Sequence, residues 1–336
     1  AAIDVGSNAI RMAVGEVDDS WKVKAIDNIR IPVRLGQDVF TKGLLDEMAM
    51  QHTVDAFRRF KRVTKDFGVY RLQTVATSAM REASNSHLLA NRICRASEIK
   101  VDIIDGDEEA RLIHQAVTQA LDIRNKRTLM IDIGGGSVEV TLSNGCNIIF
   151  SGSYNMGTVR LLKKLETKGR SKQTFSQLVH ESAESIRRRI QREIGDEKIL
   201  VCVGTGGSVE EIGRLRQKLF KADSDRLVTL IELEMLIERL SNMSIEERIR
   251  KYKLRPDRAD VILPAALVLH LIANQVHVKQ IAIPNVGLKD GILLDIAQEL
   301  SSAPLPQRRD QVLESAVRLG RKYQFDEKHA VRTSKL

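Results

Sequence analysis

Thr128-Leu129-Met130-Ile131-Asp132-Ile133-Gly134-Gly135-Gly136-Ser137 and Ala2-Ile3-Asp4-Val5-Gly6-Ser7-Asn8 are one pattern written twice. Each is a short apolar run with a single acid inside it and a turn of small residues behind it. A second apolar run follows each turn, Ile10 to Val17 in the first copy and Val138 to Leu142 in the second. Two such runs around a small-residue turn predict a β-hairpin. Each hairpin is extended by further strand, Trp21 to Leu35 and Cys146 to Tyr154.

Outward from these hairpins the chain alternates. Helical spacing runs from Leu45 to Phe67, with Met48, His52, Ala56 and Phe60 on one line. Strand Leu72–Ala76, helix Ser86–Ala96, strand Val101–Ile104 and helix Glu108–Leu121, opened by Asp107, complete the first copy. The second continues with a helix at Phe175–Ile194, a strand Ile199–Val203, a helix from Val209, helical spacing from Ile231 to Val276, a strand Gln280–Ile283 and a helix Leu288–Leu300. The expected fold class is therefore α/β, duplicated into two lobes around a cleft. The break falls in the polar stretch Asp122 to Arg127, giving lobes over 1–121 and 122–300. Ser301-Ser302-Ala303-Pro304-Leu305-Pro306 reads as a linker. One amphipathic helix, Val312 to Tyr323, follows it, so 301–336 is too short for a third domain.

Composition narrows the classes. The 336 residues are 43% hydrophobic and 29% charged, enough apolar material for a core, and 21 Gly with 6 Pro exclude a fibrous protein. The most apolar segment, Val261 to Val278, is interrupted by Pro264, His270, Asn274 and Gln275, so a buried helix is expected there rather than a membrane span. The chain opens at Ala1, without Met, and carries no cationic start leading into an apolar run, so no secretory signal is expected. Cys94, Cys146 and Cys202 have no ligand-like spacing and predict a reducing, cytoplasmic setting. A net charge of +9 fits an anionic partner. With 4% aromatics the chain has little to stack bases on, which disfavours single-stranded nucleic acid. The basic runs Arg58 to Arg62, Lys163 to Arg170 and Arg187 to Arg189 each lie in a helical pattern, ordinarily a solvated face.

Three turns follow strands: Gly6-Ser7-Asn8, Gly134-Gly135-Gly136-Ser137 and Gly204-Thr205-Gly206-Gly207-Ser208. Glycine there allows a tight turn whose N–H groups point at an anion, and the third turn adds a helix N-terminus. None continues as a Lys-Ser/Thr phosphate loop or as a dinucleotide fingerprint. Asp4 and Asp132 are acids inside apolar strands, and a buried carboxylate needs a partner or a cation. Glu139, on the return strand, is expected close to Asp132. That pair suits magnesium, which takes one or two carboxylates besides water and phosphate oxygens. Glu109, in Asp107-Glu108-Glu109-Ala110-Arg111, lies near the expected cleft, where a carboxylate is placed to deprotonate water. Arg81 offers a planar fork suited to phosphate.

Ala2 to Asn8, Ala76-Thr77-Ser78-Ala79-Met80-Arg81, Gly106 to Leu112, Ile131 to Glu139 and Gly204 to Ser208 together resemble the exopolyphosphatase/guanosine pentaphosphate phosphatase family, in order and spacing over about residues 1–300. The resemblance implies two ribonuclease-H-like, actin-like lobes and release of a terminal phosphate from polyphosphate or guanosine pentaphosphate. It also implies a Mg2+ or Mn2+ cofactor and a homodimer. By motif position, Glu109 matches the catalytic glutamate, and Asp132 and Glu139, with Asp4, the metal-associated acids. Gly6, Ser7, Asn8, Arg81, Gly134, Gly135, Gly136, Ser137, Gly206, Gly207 and Ser208 match phosphate-contacting positions. The segment after Val312 resembles the start of a helical HD-like domain found in longer members. The chain departs from the family at Ala9, Val138, Pro264-Ala265 and Leu288-Lys289-Asp290-Gly291, and keeps the acids and glycines.

Overall fold

The computed structural model describes residues 1–18, 22–168, 184, 186, 188–193, 198–301, 316–317, 320 and 325–333. The chain divides into two units, Ala1–Ala297 and Gln298–Leu336. Within the first unit are two mixed α/β sheets, each over its own apolar core.

The first sheet begins with β1 (Ala2–Val5), β2 (Ala9–Val17) and β3 (Val23–Pro32). Helices α1 (Gly36–Lys42) and α2 (Glu47–Asp66) follow, then β4 (Gln73–Ala76), α3 (Ser78–Glu82), α4 (Ser86–Ser97) and β5 (Asp102–Ile103). Its strand order is β3-β2-β1-β4-β5, antiparallel within the hairpins and parallel from β1 to β5. Helix α2 is capped by Asp46, whose side chain accepts from the Met48 N–H. It buries Met50, Thr53, Val54, Ala56, Phe57 and Phe60, and Phe57 meets Phe60 edge to face at 5.7 Å. Each such ring stabilises the lobe by about 1.5–3 kcal/mol through burial. Of the expected line, Ala56 and Phe60 are buried, while Met48 and His52 face solvent, because the buried stripe runs through Met50, Val54 and Phe57 instead. Helices α1 and α3, too short to leave a period, were not expected from the sequence.

Next come α5 (Gly106–Ala120), β6 (Thr128–Ile133), β7 (Val138–Ser143), β8 (Ile148–Tyr154), α6 (Thr158–Lys168), β9 (Val201–Thr205) and α7 (Gly207–Phe220). The unit closes with β10 (Leu227–Thr229), α8 (Leu230–Ser241), α9 (Ile245–Tyr252), α10 (Pro256–Ala259), α11 (Ile262–Gln275), β11 (Gln280–Ala282) and α12 (Leu288–Leu300). The second sheet has the order β10-β11-β9-β6-β7-β8. The helical spacing read from Ile231 to Val276 resolves into four helices. Capping boxes at Thr229/Glu232 and Ser244/Glu247 start α8 and α9, and Pro256 starts α10. Helix α11 is buried inside the second core, and among the described residues no helix is long and apolar enough to cross a membrane.

Two helices cross between the sheets. Helix α5 follows the first sheet in sequence but packs on β7 and β8. Leu293 of α12 lies against Gly15 of β2. In the second unit, the described residues include a short helix, α13 (Glu327–Thr333). The expected linker after Ser301, most of the helix Val312–Tyr323 and most of that at Phe175–Ile194 lie outside the described residues.

Candidate active site

All three turns of small residues line one cleft. The first two meet face to face. A side-chain carbon at Gly136 would fall 2.3 Å from the Ser78 hydroxyl oxygen and 2.9 Å from that of Ser7, so only glycine lets the loops approach. The third turns through Gly206, at φ +97°, into the N-terminus of α7.

Asp132 and Glu139 are opposite each other on β6 and β7, so their side chains share one face. Helix α5 brings Glu109 to them. Its N-cap is Asp105, which accepts from the Glu108 N–H at 2.9 Å, two residues before the expected Asp107. Asp107 instead takes a hydrogen bond from the Ser151 hydroxyl, tying the helix to β8. Glu108 pairs with Arg111 at 2.8 Å, while Glu109 turns inward. One carboxylate oxygen from each of Glu109, Asp132 and Glu139 lies within 4.8 Å of the others.

Burial dominates the protonation of this group. Burial, then the Glu139 charge, raises Glu109 well above the usual carboxylate range, against the pull of Arg81. Burial and the Asp132 charge push Glu139 up to about 7. Burial raises Asp132 to about 6, opposed by the Thr205 hydroxyl. An added divalent cation would relieve both the burial and the mutual repulsion. The donor set fits one: three carboxylates are hard oxygen ligands of the kind that hold Mg2+ or Mn2+. Oε2 of Glu139, moreover, is buried with no hydrogen-bond partner.

Two of the expected residues have other partners. Asp4, expected with the metal, pairs with Arg11 at 3.3 Å and lies outside the group of three acids. The guanidinium supplies the positive charge that its burial requires. Arg81, expected on phosphate, donates to Glu109 Oε2 at 3.0 Å and to the Ile104 carbonyl at 2.7 Å. It holds Glu109 from the side, and Thr77 and Ser78 line the cleft ahead of it.

Sequence reading missed a basic wall. Arg11, Arg30, Arg258 and Lys289 all line the cleft. The guanidinium groups of Arg11 and Arg258 lie against Gly207, and Arg258 donates to the Ser208 hydroxyl at 2.8 Å. Arg30 pairs with Asp257. Burial, reinforced by Arg11 and Arg30, lowers Arg258 to about 9. Spacing alone could have found Arg11, because it stands seven residues after Asp4 just as Glu139 stands seven after Asp132. Of the basic runs, Lys163 borders a separate cavity with Asn8 and Arg34, while Arg188, and Arg192 beyond it, pair with Glu184 and Glu193. Arg170, Lys172 and Arg187 lie outside the described residues.

A cluster of carboxylates suited to a cation, three turns of small residues and a basic wall come together at one cleft. The Ppx/GppA phosphatase family matches residues 14–300. The chain belongs to this family. A guanosine-5'-triphosphate,3'-diphosphate pyrophosphatase of Photobacterium profundum is 27% identical over 340 residues, covering 98% of this chain and 64% of the relative. The chain thus spans under two thirds of that protein's length. Among solved structures, an exopolyphosphatase from Cytophaga hutchinsonii superposes with a TM-score of 0.83 at 24% identity, over 89% of this chain and 97% of that one. The Ppx/GppA family member of Aquifex aeolicus gives 0.75 at 22%, over 90% and 98%. Both share the two-lobed fold.

Proposed function

We propose that this protein hydrolyses the terminal phosphoryl group of inorganic polyphosphate. The observation that carries the reading is the meeting of Glu109, Asp132 and Glu139 within 4.8 Å, with Glu109 and Asp132 lining a cleft walled by Arg11, Arg258 and Lys289. Phosphoryl transfer asks mainly for positioning and charge stabilisation. N–H groups of the loops at Gly6 to Asn8, Gly134 to Ser137 and Gly206 to Ser208 hold the terminal phosphoryl oxygens. Arg11 and Arg258 take the anionic oxygens further along the chain. Asp132 and Glu139, with Glu109 beside them, would hold Mg2+ or Mn2+, which offsets negative charge on the phosphoryl group when bound. Glu109, its basicity raised by burial and its direction set by Arg81, orients water and accepts its proton.

The name of the Photobacterium profundum relative favours a second substrate, guanosine pentaphosphate, cleaved at its 5' end by the same groups. A cytoplasmic setting is supported by three cysteines that are all free, and a homodimer remains part of the proposal. The test is phosphate release from long polyphosphate, short polyphosphate and guanosine pentaphosphate, with wild type and Glu109→Gln side by side. Wild type is expected to turn over polyphosphate fastest and Glu109→Gln to lose turnover on every substrate. A folded Glu109→Gln protein with near wild-type turnover would overturn the assignment.

A further inference from the structure

The acids of the site belong to a row that crosses the second sheet. Thr205 on β9 is the register partner of Asp132 on β6, Asp132 that of Glu139 on β7, and Glu139 that of Ser153 on β8. Residues level with one another on adjacent strands point to the same face. The row reads hydroxyl, carboxylate, carboxylate, hydroxyl. Each hydroxyl donates to the acid next to it: Thr205 to Asp132 Oδ1 at 2.5 Å, and Ser153 to Glu139 Oε1 at 2.8 Å. One oxygen of each acid is thereby occupied. Glu139 is only 2% exposed, its remaining oxygen, Oε2, is buried without a hydrogen-bond partner, and one oxygen of its carboxylate lies within 4.8 Å of one from Asp132 and one from Glu109. Thr205 is itself buried, and β8 is anchored to the Glu109 helix through Ser151 and Asp107.

We propose that Ser153 and Thr205 are positioning residues for a divalent cation: each pins one oxygen of its carboxylate and so aims the other at the metal. A carboxylate on an unpinned side chain would rotate and would have to be ordered by the ion itself. Partners behind a ligand commonly change metal affinity by about 10- to 100-fold. The inference deepens the cation-assisted reading of the site and rests on it.

The probe is Mn2+, titrated into metal-free full-length protein and followed by electron paramagnetic resonance, with thermal melts in chelator as the control for folding. Ser153→Ala and Thr205→Val are expected to raise the Mn2+ Kd about 10- to 100-fold each. Ser153→Thr and Thr205→Ser, which restore a hydroxyl, are expected to bind close to wild type. Turnover of the alanine and valine variants is expected to recover at high Mn2+, so the defect lies in the metal requirement rather than in kcat. If Thr205→Val fails to fold, Ser153→Ala decides alone. An unchanged Kd in folded Ser153→Ala, or a wild type that binds no Mn2+, overturns the proposal. Wild type that binds Mn2+ with the expected variant pattern but releases no phosphate would refute the proposed function and leave the positioning role standing.

Discussion

The two sheets carry the same row of positions and have filled it with opposite charge. In the second lobe, β9, β6, β7 and β8 contribute Thr205, Asp132, Glu139 and Ser153. In the first, β4, β1, β2 and β3 contribute Val75, Asp4, Arg11 and Arg30. Asp4 corresponds to Asp132, and Arg11 corresponds to Glu139. One exchange, arginine for glutamate on the return strand of the hairpin, separates a neutralised ion pair from a repelling acid pair. The neutralised row leaves guanidinium groups facing the cleft, suited to the anionic oxygens of a substrate. The repelling row calls for a cation. The first copy thus brings arginines to the cleft where the second brings acids.

The comparison can be broken most sharply on its acidic side. Glu139→Gln removes half of the acid pair, and phosphate release is expected to fall by roughly 10³-fold, the scale of several kcal/mol of charge stabilisation supplied at such sites. Steady-state assays at saturating Mn2+ check this. On the basic side, Arg11→Met strands the Asp4 carboxylate. Breaking a buried pair costs about 3–5 kcal/mol, and the low end applies because Arg11 keeps some contact with water. Denaturant unfolding measures it, and Arg11→Met combined with Asp4→Asn is expected to recover most of the loss.

A pH effect comes next in size. Glu139 and Asp132 are raised in the folded protein, to about 7 and about 6. The folded state therefore holds protons that the unfolded chain has released. Stability from this source is complete below the unfolded carboxylate range, about pH 4, and is lost as pH rises through 6 and 7. Metal-free protein is expected to melt a few degrees lower at about pH 8 than at about pH 5. Added Mn2+ should close most of that gap. The smallest effect is expected at the outer ion pair between the lobes, Arg34 with Asp260 at 2.7 Å. It is partly exposed, so Arg34→Ala should shift unfolding by under about 1 kcal/mol.

Much of this was legible in the sequence, because the informative signals were local. An acid inside an apolar strand and a glycine turn two residues on announced both hairpins, their duplication and the α/β class. Glu109 was recoverable because it stands in the acidic first turn of α5, even though the cap is Asp105 rather than Asp107. What escaped depends on register and tertiary contact. Ser153 has no marking neighbour, and Thr205, although inside the third turn of small residues, takes its meaning from the strand alongside. Arg258 lies in a polar segment that only folding carries to Gly207. Asp4 and Asp132 looked alike because their difference resides seven residues downstream, in Arg11 and Glu139. The buried face of α2 was half legible: Ala56 and Phe60 lie on it, but Met50, Val54 and Phe57 continue it where Met48 and His52 do not.

Mn2+ binding to Asp132→Asn and to Asp4→Asn, compared with wild type in one titration series, tests the division of charge between the lobes most directly. Equivalent substitutions at equivalent positions are expected to behave differently. Asp132→Asn should lose measurable Mn2+ binding, and Asp4→Asn should keep the wild-type affinity. Equal loss in the two variants would contradict the account, because the first lobe would then hold the cation as well.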